Sequence, residues 1–261
     1  MPRQSTIFLA SLALVAVVGV SLVMVDTPAA FSPVTQVEDV ADAGPPTLPS
    51  ASHPAALFIG DDYTQGTNTP DMSYGCMTAT ELGWECNIAA QPAVGYISGG
   101  PGQRLPTSEY GVASKSFVEQ LPRLRELYRA DMVVLDGGRN DLQFEIDDLD
   151  RAFAYTVSQV KAAWPNSHIV VIAPWLITQP VIQPPALAGR TIGDEFQSVL
   201  RSSPDFDGVD LIDPAALGWL SGVDASQYLS SDGYHPSPEG DQLIAHLLTE
   251  ALRAERITDP S

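Results

Sequence analysis

Short apolar runs alternate with longer amphipathic patterns from residue 55 onward, and this alternation constrains the fold more than any other feature. The runs lie at 55–60, 85–89, 131–135, 168–173 and 209–212. Apolar residues recur at helical spacing over 77–82, 116–128, 148–163, 193–200 and 238–256. Strands that alternate with helices build a parallel sheet with crossover helices. The sequence therefore predicts one α/β domain over 55–261, a three-layer α/β/α fold with a doubly wound sheet of five parallel strands.

The first 54 residues differ in composition from the rest of the chain. Residues 6–25 carry no charge and follow Arg3, so 1–25 is either a retained membrane anchor or a secretory signal segment that is cleaved. Residues 26–54 are rich in proline and alanine and lack an apolar period, which predicts a flexible linker. We expect the domain to lie outside the cytoplasmic membrane, N-terminally anchored or, after signal cleavage, secreted.

The charge balance excludes one class of partner. The formal net charge is −19 at pH 7, which repels the phosphates of nucleic acids. The sequence also lacks a basic stripe interleaved with aromatic residues. We therefore expect no nucleic-acid partner. We expect any contact with a membrane to be made through the N-terminal segment.

The two cysteines, Cys76 and Cys86, lie in the part of the chain that we expect to be exported. An oxidising compartment favours a disulfide between them. A metal site built on these cysteines would need further cysteine or histidine ligands nearby, and none is close in sequence. A carboxylate-rich site from Asp61, Asp62, Asp141 and His235 has no recognised ligand spacing. We expect neither a metal ion nor a cofactor.

Polar motifs lie where predicted strands end or where the last helix begins. They are GDDYT at 60–64, GGRND at 137–141 and DGYHP at 232–236. Doubly wound sheets bind ligands at the carboxyl ends of their strands. The three motifs together resemble those of the SGNH (GDSL-type) hydrolases. Asp213-Pro214 and Gly218-Trp219-Leu220, ahead of the last motif, also resemble the exported actinobacterial-type members of that family. The resemblance implies the flavodoxin-like fold of that family and an esterase-type site.

The resemblance assigns roles to four residues. Asp62 stands where the family has its nucleophilic serine, and Asn140 matches the asparagine that donates its amide to the oxyanion. Asp232 matches the carboxylate that orients His235, the general base. Two carboxylates next to this histidine also predict a pKa above that of free imidazole.

A further block of the family supplies a glycine N–H to the oxyanion hole. In this sequence Gly95 matches the second glycine of that block, so Gly95 and Asn140 are the oxyanion-hole candidates. The expected donor position itself falls on residues 91–93, Gln-Pro-Ala. Proline has no N–H to donate, which leaves open the residue that replaces the glycine.

The carboxylate at Asp62 decides how the resemblance is interpreted. Attack on an ester by a carboxylate gives a reactive mixed anhydride, and its charge opposes the developing oxyanion. In one interpretation the protein is a pseudoenzyme of the cell envelope, impaired in ester hydrolysis. Its partner is then a small-molecule, glycan or lipid ligand of the envelope, and we expect an acylated glycan or lipid. In the alternative it is an active hydrolase that uses Asp62 and His235 with water, or Asp62 as nucleophile. A third interpretation keeps catalysis through another hydroxyl, such as Thr64, or makes the domain purely structural.

Overall fold

The computed structural model describes residues 53–66, 73–104 and 113–257. The predicted anchor or signal segment at 1–25 and nearly all of the predicted linker lie outside these residues. Among the residues described, no helix is both long enough and apolar enough to cross a membrane.

Five parallel strands form the central sheet in the order β2-β1-β3-β4-β5. The strands are β1 Ala55–Gly60, β2 Glu85–Ala90, β3 Met132–Asp136, β4 His168–Ile172 and β5 Val209–Ile212. Every residue of β1 and β3 is buried, as expected of central strands that are covered on both faces. The predicted α/β fold with a five-stranded parallel sheet is confirmed.

Helices cover both faces of this sheet. They are α1 Asp62–Gln65, α2 Tyr74–Leu82, α3 Phe117–Leu127, α4 Ile146–Ala163, α5 Ile192–Arg201 and α6 Pro238–Ala254. Because side chains alternate along a strand, Leu57 and Ile59 of β1 join the core beneath α3, α4 and α5. Ala56 and Phe58 join the opposite core beneath α2 and α6. This arrangement is the doubly wound topology.

The helix α1 is absent from the helices predicted from the sequence, the first of which covers 77–82. Four residues are too few to show a helical period, so no pattern could reveal it. Asp61 caps this helix by accepting the N–H of Tyr63 at 3.0 Å. The helix ends at Gly66, which has a φ of 69°, a conformation that glycine adopts at little cost. As a result Asp62 occupies the first helical position directly above the end of β1.

A disulfide joins Cys76 in α2 to Cys86 in β2. The predicted pairing is therefore confirmed. The bond ties α2 to β2, the edge strand next to β1.

Candidate active site

Three of the predicted site residues lie together above the carboxyl ends of the strands. Nε2 of His235 lies 3.3 Å from Oδ2 of Asp62, an ion-pair distance. On the other side of the ring, Nδ1 of His235 lies 2.7 Å from Oδ2 of Asp232. The imidazole therefore has a carboxylate at each nitrogen, so this site holds an Asp-His-Asp row.

The charges of this row stabilise one another. The Asp232 carboxylate accepts hydrogen bonds from His235, from the hydroxyl of Ser230 and from the N–H of Tyr234, and these bonds lower the pKa of Asp232. Partial burial alone would lower the pKa of His235, but the hydrogen bonds to Asp232 and Asp62 outweigh it and raise that pKa. The direction agrees with the expected one: the two carboxylates favour the protonated form of His235.

A buried cluster of charges lies directly beneath the row, and the sequence analysis missed it. The Arg139 guanidinium contacts the carboxylates of Asp61 and Asp136 at 2.6 Å each. Its Nε donates to the carbonyl of Trp175 at 3.2 Å. These three partners follow or end β1, β3 and β4, so one side chain joins the ends of three adjacent strands. The signal in the sequence was the arginine inside GGRND, which lies three residues after Asp136, the aspartate that ends β3.

Further hydroxyl groups complete the cluster. Asp136 accepts hydrogen bonds from Thr64 at 2.8 Å and from Tyr74 at 2.5 Å. The Thr64 hydroxyl, the alternative nucleophile, is fully buried by these contacts and is not available to a substrate. Burial raises the pKa of Asp61, and the Arg139 guanidinium opposes that rise. The cluster places two carboxylates, Asp61 and Asp136, and one guanidinium, Arg139, near Asp62.

Asn140 joins the site through Asp61. Its side-chain amide donates to Oδ2 of Asp61 at 3.3 Å and to the carbonyl of Val94 at 3.0 Å. An amide group carries two donor hydrogens, and these contacts engage both of them. The role of Asn140 as an oxyanion donor stays a prediction.

Gly95 lies against Asp141, in the loop after β2. A Cβ on Gly95 would lie 2.1 Å from Oδ2 of Asp141, so only glycine fits there. The Gly95 N–H donates to the carbonyl of Ser98 at 3.0 Å, and Asp141 accepts the N–H groups of residues 96–98. In this geometry Gly95 shapes the loop, and its role as an oxyanion donor is untested.

Two of the three positions at residues 91–93 have no free N–H for an oxyanion. The Gln91 N–H donates to the carbonyl of Gly60 at 3.2 Å, and Pro92 has no N–H. Ala93 has a φ of 55°, in the left-handed region where glycine is favoured. An alanine therefore adopts a glycine-type conformation close to where the family resemblance expects a glycine.

Metal ligation has no obvious place in this part of the protein. Within residues 53–66, 73–104 and 113–257, no three histidine, cysteine, aspartate or glutamate side chains are grouped so as to hold a metal ion.

Comparison with known proteins places the chain in a class. Residues 58–243 match the GDSL-like lipase/acylhydrolase family. Because this match spans well over half of the sequence, the chain belongs to that family. A comparison with curated proteins gives no match.

Solved structures of similar fold include two of a family two carbohydrate esterase from Clostridium thermocellum. The first is an active-site mutant with 18% identity and a TM-score of 0.55, and the match covers 77% of this chain and 63% of that one. The second, in complex with cellohexaose, has 20% identity and a TM-score of 0.52, with coverages of 80% and 67%. The salicylyl-acyltransferase SsfX3 from a tetracycline biosynthetic pathway has 18% identity and a TM-score of 0.57, with coverages of 81% and 57%. At these identities the likeness concerns the fold alone.

Proposed function

We propose that this protein is a GDSL-like domain of the cell envelope, anchored or secreted, that binds an acylated glycan without hydrolysing it by the acyl-enzyme route of its family. In this proposal Asp62 occupies the position of the nucleophilic serine. The observation that carries it is the 3.3 Å contact between Nε2 of His235 and Oδ2 of Asp62. The atom that should deprotonate a hydroxyl meets a carboxylate instead.

Charge explains why such a site is a poor esterase. Asp62 and Asp232 raise the pKa of His235, which increases the protonated fraction of the ring, and a protonated imidazole cannot accept a proton from a nucleophile. Carboxylate attack on an ester would also place a negative oxyanion next to further negative charge. The site can hold a ligand, but it is badly suited to the first step of acyl transfer.

The candidate oxyanion donors support the same proposal. The Asn140 amide donates to Asp61 and to Val94, and the Gly95 N–H donates to Ser98. An oxyanion hole works because its donors are already directed at the charge that develops. Donors that are engaged within the protein would have to break existing hydrogen bonds first.

The choice of a glycan as ligand has two supports. One structure of similar fold was solved with cellohexaose bound, although the likeness there concerns the fold alone. In addition, the ring of Tyr234 is 37% exposed beside His235, and an exposed aromatic ring combines an apolar face with a polar edge. A neutral sugar would also meet no repulsion from the acidic chain.

The competing function is an active hydrolase, and the Asp62–His235 contact also favours it. A carboxylate and an imidazole in contact can position a water molecule, and a carboxylate can attack an sp³ carbon as in retaining glycosidases. This function requires turnover that depends on Asp62, whereas the binding function does not.

Isothermal titration of the full-length protein with acetylated cello-oligosaccharide tests the proposal. We expect binding that Tyr234→Leu weakens at least tenfold, while the matched change Tyr155→Leu, at a ring exposed on α4, leaves it unchanged. The recovered sugar should keep its acetyl groups. Loss of acetyl groups in an Asp62-dependent manner supports the hydrolase instead. Binding of phospholipid vesicles but no sugar overturns the choice of ligand.

A further inference from the structure

Hydrogen bonds within the loop that carries His235 fix the shape of that loop. The Ser230 N–H donates to the His235 carbonyl at 2.8 Å. The Asp232 carboxylate accepts the Ser230 hydroxyl at 2.7 Å and the His235 N–H at 2.9 Å. Hydrogen bonds within a loop hold its residues together. They cannot set the distance from the loop to α1, which carries Asp62.

One hydrogen bond crosses from α1 to this loop. The hydroxyl of Tyr63 donates to the carbonyl of Tyr234 at 2.8 Å. Tyr63 directly follows Asp62, and Tyr234 directly precedes His235. The bond therefore joins the two segments one residue away from each member of the Asp62–His235 pair. The two tyrosine rings also meet edge to face, with centroids 5.8 Å apart.

Tyr63 is itself held in place by the buried charge cluster. Its side chain has no solvent exposure, and the Arg139 guanidinium carbon lies 4.5 Å from the centre of its ring. The ring of Trp175 packs edge to face against it at 6.1 Å. Because Arg139 is anchored to Asp61 and Asp136, Tyr63 is fixed to the ends of β1 and β3. Burial raises the pKa of Tyr63, so its hydroxyl stays a donor.

We propose that Tyr63 is a positioning residue that sets the separation between Asp62 and His235. The inference goes beyond the proposed function, and it holds whether the site binds a ligand or turns one over. A purely structural role would change the stability of the protein but not the protonation of His235. The titration of His235 therefore separates the two roles.

The test is an NMR titration of His235 in the full-length protein, with its signal assigned by loss in His235→Gln. In Tyr63→Phe we expect the pKa of His235 to fall toward its value in Asp62→Asn, because the ring and its stacking on Arg139 remain while the bond to the loop is lost. The matched control is Tyr96→Phe, a buried tyrosine whose hydroxyl has no hydrogen-bond partner among the described residues. This control should leave the pKa unchanged.

Three further variants fix the interpretation. If Tyr63 acts through Asp62, the double variant Tyr63→Phe with Asp62→Asn should show the pKa of Asp62→Asn alone, since two changes in one pathway are not additive. Para-aminophenylalanine at position 63 keeps a donor and should restore the wild-type pKa. Para-fluorophenylalanine should reproduce the fall, and it replaces Tyr63→Phe if that variant does not fold. An unchanged pKa in a folded non-donating variant, additive falls, or an equal fall in Tyr96→Phe overturns the proposal.

Discussion

The guanidinium of Arg139 lies 2.6 Å from the carboxylate of Asp61, and the two side chains are 1% and 0% exposed. The same guanidinium contacts Asp136 at 2.6 Å. Taking charges out of water is costly, and the cost is offset only while every partner is present. The region beneath the Asp62–His235 pair therefore depends on Arg139 for its stability.

Arg139→Met should lower the free energy of unfolding by about 3–5 kcal/mol, because it leaves Asp61 and Asp136 buried without their counter-charge. Urea denaturation followed by circular dichroism measures this loss. The matched control is Arg123→Met, which breaks an exposed ion pair with Glu126 on α3 and should cost less than about 1 kcal/mol. Equal losses in the two variants would show that the buried contacts do not stabilise the fold.

The charge of His235 should make its contribution to stability depend on pH. A folded-state pKa above the unfolded value of about 6.5 means that the stabilisation is fully present below that value. It is lost as the pH rises through the folded-state pKa. The difference in unfolding free energy between wild type and His235→Gln should therefore be larger at pH 5.5, about one unit below the unfolded value, than well above the folded-state pKa. A difference that grows with pH contradicts the two-carboxylate geometry.

A second pH effect should come from Asp150 on α4. Burial and the neighbouring Glu195 carboxylate on α5 raise the pKa of Asp150 to about 7. An acid with a raised folded-state pKa loses stability as the pH rises from its unfolded value, about 3.9, to the folded one. Asp150→Asn should thus gain stability relative to wild type over this interval. Thermal melts across that range measure the gain, and it should shrink in a Glu195→Gln background.

The disulfide should add stability outside the site. Replacing both Cys76 and Cys86 by serine should lower the free energy of unfolding by at most about 2–4 kcal/mol, toward the lower end because the closed loop is short. Reduction of the wild-type protein should lower its melting temperature similarly and leave the double variant unaffected. A reductant effect of the same size in the double variant would assign the change to something other than this bond.

Much of the fold could be predicted from sequence because its signals are periodic. The limits of β1 and β5 agree with the predicted runs, β2 and β4 differ by one residue at their C-terminal ends, and β3 is shifted by one residue at both ends. The sheet order could not be read from these runs, since an apolar strand carries no mark of its neighbour. The helix α4 begins at Ile146, two residues before the predicted start, because acidic residues that favour a helix N-terminus hide its first turn in a polar stretch.

The site was predictable only where a motif names a residue. Asp62, Asp232 and His235 were expected together, and the structure brings them together. The contacts of Arg139 and Tyr63 could not be anticipated, because they join residues far apart in sequence through side-chain geometry. The engagement of the Asn140 amide by Asp61 and Val94 likewise depends on how three loops meet.

We propose that the carboxylate at Asp62 abolishes the ester hydrolysis typical of this family. The most direct test compares hydrolysis of p-nitrophenyl acetate by the full-length wild type, Asp62→Ala and Asp62→Ser. We predict no turnover above that of Asp62→Ala in the wild type, and weak turnover in Asp62→Ser. The turnover rate of Asp62→Ser should stay about 10²–10³-fold below that of a site with all its oxyanion donors, because one missing donor costs about that much. Wild-type turnover that Asp62→Ala abolishes, with heavy oxygen from labelled water found in Asp62 after one cycle, would contradict the account and identify the carboxylate as a working nucleophile.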